Sequence, residues 1–236
     1  VTREELLTEF RRQVEDQAEP YLWSDDEALR YLVDAQDTLV RHTGGIADET
    51  VAAADVGDPA TRLQDLALTA GEPFSAISEY VLRVRNARLL TANRDVSIAN
   101  LADLQQVTRV DYGVTVGYRL NDEQGDVQYG LTDVRDGQVR WVKVPADADT
   151  CRLVVFRLPF PRMTIDNDVE LEIAGHHHLH LVKWMKHLAY SKEDAETYDK
   201  QLADRSKAAF AEYCEQARVE QDRRRFKPRV VHYGGL

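Results

Sequence analysis

The chain has 236 residues, 43% of them hydrophobic and 30% charged, with a net charge of −11. That length supports one large domain or two small ones with a real core. The acidic balance argues against a whole surface built to hold nucleic acid, and no run of about 18 apolar residues is present to span a membrane.

Residues 2–17 read as a helix, with Thr2 and Glu5 at capping-box spacing and Leu6, Phe10 and Val14 as its stripe; Pro20 stops it or follows its end. A second helix is predicted over 25–42, capped by Ser24 with Glu27, its stripe being Ala28, Leu32, Ala35 and Leu39. Gly44–Gly45 punctuates the chain. Residues 46–60 are acidic, alanine-rich and expected to form a loop with room for a helical turn. The pattern then turns to strands: 63–69, 80–90 with Leu82 and Val84 alternating with Arg83 and Arg85, and 96–98. One helical turn is expected over 101–106. Segments 127–134 and 138–144 flank Asp136–Gly137, a hairpin signal, and 151–160 is a last strand.

After it, residues 176–213 read as a hairpin of two amphipathic helices broken at 191–194. Ile173, His177, Leu181, Trp184 and Leu188 line the first, widened by Val182, Met185 and Ala189. Ala195, Tyr198, Leu202, Ala209, Tyr213 and Ala217 line the second. Ser191 and Asp194 look like its start signal. Pro228 should end the helical path, and Val230–Tyr233 is apolar and β-prone. The order of elements predicts an α+β fold: an antiparallel bundle of two N-terminal and two C-terminal helices with an inserted, mostly antiparallel β domain and an extended C-terminal arm. The expected divisions are 1–60, 61–160, 161–222 and 223–236.

Few groups suggest chemistry. The chain does not open on a secretory leader pattern, so Cys151 and Cys214 are expected to be reduced thiols. Glu212 and Glu215 would raise the pKa of Cys214 rather than activate it. His176 and His180, four apart, could face one ion, which leaves a metal-dependent enzyme as an alternative. His187 is too far along the helix to join them, and no acid stands at metalloprotease spacing. No nucleophile elbow, P-loop or dinucleotide fingerprint occurs, and neither cofactor nor metal is expected. Charge is unevenly spread: residues 1–60 hold 15 acids and 5 bases, residues 218–236 hold 6 bases and 2 acids. The two ends can therefore attract each other in neighbouring copies, or both are merely solvated; the basic run can touch nucleic acid, solubilise a helix end, or grip an acidic partner while its apolar residues add an edge strand or fill a pocket.

Four stretches together carry a resemblance: TREELLTEFRRQVED…PYLWSDDEALRYLVDAQ, TAGEPFSAISEYVLRVRNARL, HHHLHLVKWMKHLAYSKEDAETYD and the closing VVHYGGL. In pattern and order the whole chain resembles the head–tail adaptor (connector) proteins of tailed bacteriophages. The resemblance implies a structural virion protein of the neck, assembled in the host cytoplasm, without enzymatic activity. It implies a ring of copies, dodecameric on the portal and monomeric when free, with a tail or nozzle protein below. Viral DNA would pass through the lumen without specific binding. The portal-binding arm would comprise Arg223, Arg224, Arg225, Phe226, Lys227, Arg229, Val230, Val231, His232, Tyr233, Gly234, Gly235 and Leu236, with the exposed faces of the 173–217 hairpin as ring contacts. The alternative within the virion is a tail or head-completion protein that contacts the adaptor instead of the portal.

Overall fold

The computed structural model of the chain describes residues 1–55, 57–102, 123–193 and 197–225. Its contacts divide into two compact units. One joins Val1–Gly45 to the described residues from Arg162 onward; the other is Ile46–Pro161. Among the described residues there are four α-helices and a curled, mainly antiparallel sheet, an α+β fold.

The helical unit begins with α1 (Arg3–Gln13). Thr2 caps it: its hydroxyl accepts from the Glu5 amide, and the Glu5 carboxylate accepts from the Thr2 amide. Pro20 follows the end of this helix, which stops short of the expected residue 17. The helix stops at Gln13, Val14 caps it, and Glu15 adopts φ +60°. The cause is Asp16, which is buried and accepts from the Leu22 amide, the Trp23 amide and the Arg11 guanidinium. A buried carboxylate needs this full set of donors, and a continued helix could not bring them round it. Helix α2 (Asp25–His42) starts on the Ser24 hydroxyl, as its sequence signal suggested, and buries Ala28, Leu32, Ala35 and Leu39.

Helix α3 (His178–Ser191) and helix α4 (Lys200–Arg225) pair with their chain directions opposed. His187 lies beside the Ala203 carbonyl, Trp184 beside Phe210 at 5.2 Å between ring centroids, and His177 beside Tyr213. The α3 stripe is centred one residue later than expected, on His178, Leu181, Val182, Met185 and Ala189, with Trp184 and Leu188 half-buried. The α4 stripe also moves: Ala203, Phe210, Cys214 and Ala217 are buried, while Tyr198 is 51% and Leu202 40% exposed. Phe210, the bulkiest apolar side chain on that helix, takes the core position and sets the rotation. Ser191 does not start α4; its hydroxyl donates to the His187 carbonyl inside α3. The α4 start is Asp199, whose carboxylate accepts from the Leu202 amide. Asp194 and Ala195 lie outside the described residues. All four helices contribute to one core, in which Phe10 meets Trp23 edge-on and Trp23 meets Tyr190.

The sheet unit holds β1 (Ile46–Glu49), β2 (Leu66–Leu68), β3 (Phe74–Ala76), β4 (Val81–Leu89), β5 (Arg94–Ala99), β6 (Gln124–Gly125), β7 (Tyr129–Leu131), β8 (Gln138–Val142), β9 (Val144–Pro145) and β10 (Asp149–Arg157). The strand order is β1-β10-β4-β5-β7-β8-β3, with β2 also on β10 and β6 paired with β9. Residues 46–49, expected as loop, are a strand because Asp48 meets the buried Arg157 of β10 at 2.6 Å and Ile46–Glu49 pair along it. The hairpin around Asp136–Gly137 forms, with Tyr129 opposite Val142 and Gly137 at φ +68°. In β4 the expected alternation breaks. Register shifts against β10 fall at Leu82 and Arg85 and turn both outward, while Val84 stays inside. Such bulges add a residue to one strand and bend it. The sheet curls until β3 reaches β2, where the buried Ser75 hydroxyl donates to the Ala67 carbonyl and accepts from the Trp141 indole. Gly130 lets the Trp141 ring lie close: a Cβ there would stand 3.2 Å from it. The expected turn over 101–106 lies mostly outside the described residues.

Candidate interaction surfaces

The basic end of α4 is the first candidate. A cationic last turn suits the negative end of a helix, and Arg223, Arg224 and Arg225 occupy it. Arg225 has a further task. Its Nη1 donates to the Thr43 carbonyl at 3.0 Å and its Nη2 to the Gly45 carbonyl at 2.6 Å, just past the end of α2. Helix ends leave carbonyls without intrahelical partners, and here a guanidinium from a distant helix satisfies them. Gly44 and Gly45 adopt φ +79° and +90°, and a Cβ on Gly44 would lie 2.8 Å from Nη1. The glycine pair therefore turns the chain and also admits the arginine. Arg223 and Arg224 face solvent. The other expected arm residues, Phe226 to Leu236, lie outside the described residues.

The histidines form two separate arrangements around the start of α3. His178 is buried, with Nδ1 2.7 Å from the Val1 carbonyl oxygen and Nε2 3.0 Å from that of Ile173. It ties the first residue to the entry of α3. The other arrangement centres on Tyr213. His180 stacks on its ring at 3.6 Å, and His177 Nδ1 lies 2.7 Å from its hydroxyl. Burial pushes the His177 pKa down to about 4, helped by the nearby His176, Arg224 and His180 and opposed by Glu220. His180 is lowered by burial, Lys183 and His176. Among the described residues, no group of three or more His, Cys, Asp or Glu side chains could hold a metal ion. His180, the would-be ligand, instead packs flat on an aromatic ring.

A third surface was not legible in the sequence. A groove of about 690 Å³ lies between α2 and residues 162–166. Leu29, Val33, Met163, Ile165 and Leu188 give it an apolar floor, while Asp26, Asp34 and Asp166 give it acidic edges. Arg162 is drawn onto Asp37 at 2.9 Å and Arg30 onto Asp26. The only sequence signal was Met163 and Ile165, two apolar residues after Pro161 in a segment with no assigned structure. On the hairpin, Leu179, Tyr198, Leu202 and Val219 are exposed apolar side chains.

Nothing in these surfaces is arranged for catalysis by the cysteines. Both are buried and free, and burial raises their pKa to about 12 for Cys151 and about 11 for Cys214, where Glu215 adds to the shift. Among the described residues, no helix is long and apolar enough to cross a membrane. No curated protein matches the chain. A family model does, the one described as SU10 adaptor protein, and its match runs over residues 1–232. A match of that extent takes in the helical unit, the sheet unit and the basic end of α4, so the chain belongs to the SU10 adaptor protein family, a family of structural phage virion proteins that associate with other virion components.

Proposed function

We propose that the protein is the head–tail adaptor of a tailed phage, forming a ring beneath the portal and joining it to the tail. The family match over almost the full chain carries this reading. In it the four helices act as an antiparallel bundle, the sheet unit is an insertion, and the segment from Arg223 is the portal-binding arm. The Arg225 clamp supports the arm assignment, because it fixes where the segment leaves α4. A ring also needs two different surfaces on each copy. The uneven charge of the two chain ends supplies a difference of that kind.

The test is light scattering on the purified protein, alone and with its cognate portal, followed by electron microscopy of any complex. A monomer that assembles into a ring only on the portal is the expected result. Deleting the residues after Phe226 should leave a folded subunit that no longer joins the portal. A truncated protein that assembles normally would remove the arm assignment, and binding to tail components alone would move the protein further down the neck.

A further inference from the structure

Two surface features are unmatched within the described residues, and their chemistries complement each other. The first is the groove on α2. Its apolar floor is edged by Asp34 and Asp166, both exposed. The bases at its rim are already taken up, Arg162 by Asp37 and Arg30 by Asp26. Asp34 accepts from the Trp184 indole at 2.6 Å, but neither Asp34 nor Asp166 meets a base in ion-pair range among the described residues. Two negative charges are left over, beside an Ile165 that stands 53% exposed at the lip.

The second is strand β4. Its register shifts against β10 fall close together and turn Leu82 and Arg85 outward, on either side of an exposed Arg83. Bulges re-aim side chains, and this pair of them presents one apolar side chain followed by two guanidinium groups. Elsewhere in the sheet unit arginines meet carboxylates: Arg88 meets Asp95, Arg94 meets Asp126, Arg152 meets Asp65 and Arg157 meets Asp48. Arg83 instead lies over the Phe156 ring at 4.6 Å, and Arg85 is exposed. Neither meets a carboxylate in ion-pair range among the described residues. Leu82 is 37% exposed.

We propose that the bulged part of β4 from one copy docks in the α2 groove of a second copy, with Leu82 against Ile165 and the floor, Arg83 on Asp34 and Arg85 on Asp166. The charges match two for two, and guanidinium with carboxylate is the pairing that forms bidentate bonds. The lengths match as well. From Asp26 to Asp34 α2 runs about 12 Å, and Leu82 to Arg85 spans at most about 11 Å of extended chain. A nucleic acid fits this strand less well, because a net charge of −11 repels a polyanion from so small a basic patch. The two surfaces differ, so the contact is head-to-tail and repeats from copy to copy until a ring closes. This deepens the adaptor reading by naming a contact of its ring, and rests on it for that role, while the contact itself is tested without a portal.

Leu82 and Ile165 are exposed and both native thiols are buried, so new thiols can be read cleanly. Full-length subunits carrying Leu82→Cys or Ile165→Cys are mixed at high concentration and oxidised under mild conditions. The expected product is the mixed disulfide dimer, formed at least tenfold faster than either variant dimerises with itself. Equal rates would overturn the proposal. Adding Arg85→Glu to the Leu82→Cys subunit should slow the reaction several-fold, and adding Asp166→Arg to its partner should then restore most of the rate. A slowed reaction without that rescue would overturn the charge pairing. A chain carrying both cysteines should give a ladder of covalent multimers. If it instead closes on itself as a monomer, the strand fills its own groove and the proposal falls. Retardation of a DNA duplex by the unmodified subunit, lost in Arg83→Glu/Arg85→Glu, would also overturn it, by giving the arginines to phosphate. A fast mixed dimer from subunits that form no ring on the portal would support this contact and count against the adaptor reading alone.

Discussion

Residues 46–161 build their core from one continuous stretch, whereas the helical unit has no core until its first 45 residues meet those from Arg162 onward. The difference shows in what each unit spends its polar groups on. In the sheet unit they close seams between strands of that one stretch: Ser75 links Ala67 to Trp141, and Asp65 receives the guanidinium of Arg152, 87 residues on, at 2.9 Å. In the helical unit they join distant parts of the chain: His178 to Val1, Arg3 to Glu170, Glu172 to Gln36, Lys192 to Glu27 and Arg225 to Gly45. A unit assembled from two chain segments carries a larger loop-closure cost, and these long-range links are where it is offset.

The comparison breaks most readily in the sheet. Trp141 is fully buried and bonded to Ser75, so Trp141→Ala should cost about 3–5 kcal/mol through the cavity it leaves. In urea, amide hydrogen exchange should then report early loss of the sheet unit while the helical signal keeps its midpoint. A shared shift of both signals would show that the units unfold as one. Next comes the turn after α1. Asp16→Asn leaves the buried Arg11 without its buried carboxylate partner, at 2.9 Å, and with only the exposed Asp25 beside it, and should lower stability by about 2–3 kcal/mol. Here the helical midpoint should move and the sheet signal should not.

A smaller effect is expected at the clamp. Gly44→Ala forces an L side chain into a left-handed backbone and against Arg225, at about 1–2 kcal/mol. Arg225→Ala removes one of those two faults, so the double variant should lose less than the sum of the singles. Strict additivity in a melting cycle would show that the guanidinium does not hold that loop. The smallest effect is with pH. His177 holds its proton less tightly in the fold than in the unfolded chain, with a pKa of about 4 against about 6.5. The unfolded chain therefore binds more protons between those values, and stability should rise with pH across that window. The groups facing it are His176, His180, Arg224, Glu220 and Tyr213. Allowing for partial solvent screening, the loss from pH 7 to pH 5 is about 1 kcal/mol, and His177→Gln should flatten the melting-temperature profile by that amount.

What could be read in the sequence follows from what is local. The caps and stripes of α1 and α2 and the Asp136–Gly137 hairpin depend on neighbours in the chain, and each was visible there. Strand β1 was not, because Ile46–Glu49 is extended only where Arg157 and β10 hold it. The outward turn of Leu82 was hidden for the same reason, since a bulge is set by the partner strand. Among the candidate surfaces, the basic end of α4 was legible as composition, but the Arg225 clamp was not: nothing in the sequence links a C-terminal arginine to two glycines 180 residues earlier.

The seam between β2 and β3 has a consequence for solubility. An unpaired strand edge is a template for intermolecular pairing. Here the curl draws two short edges together and spans them with a single serine hydroxyl. Strand β1, which pairs with β10 along one side, is four residues long and carries Asp48 and Glu49. Short length and negative charge make it a poor seed for stacking, so crowding subunits together should favour specific association over fibrous aggregation.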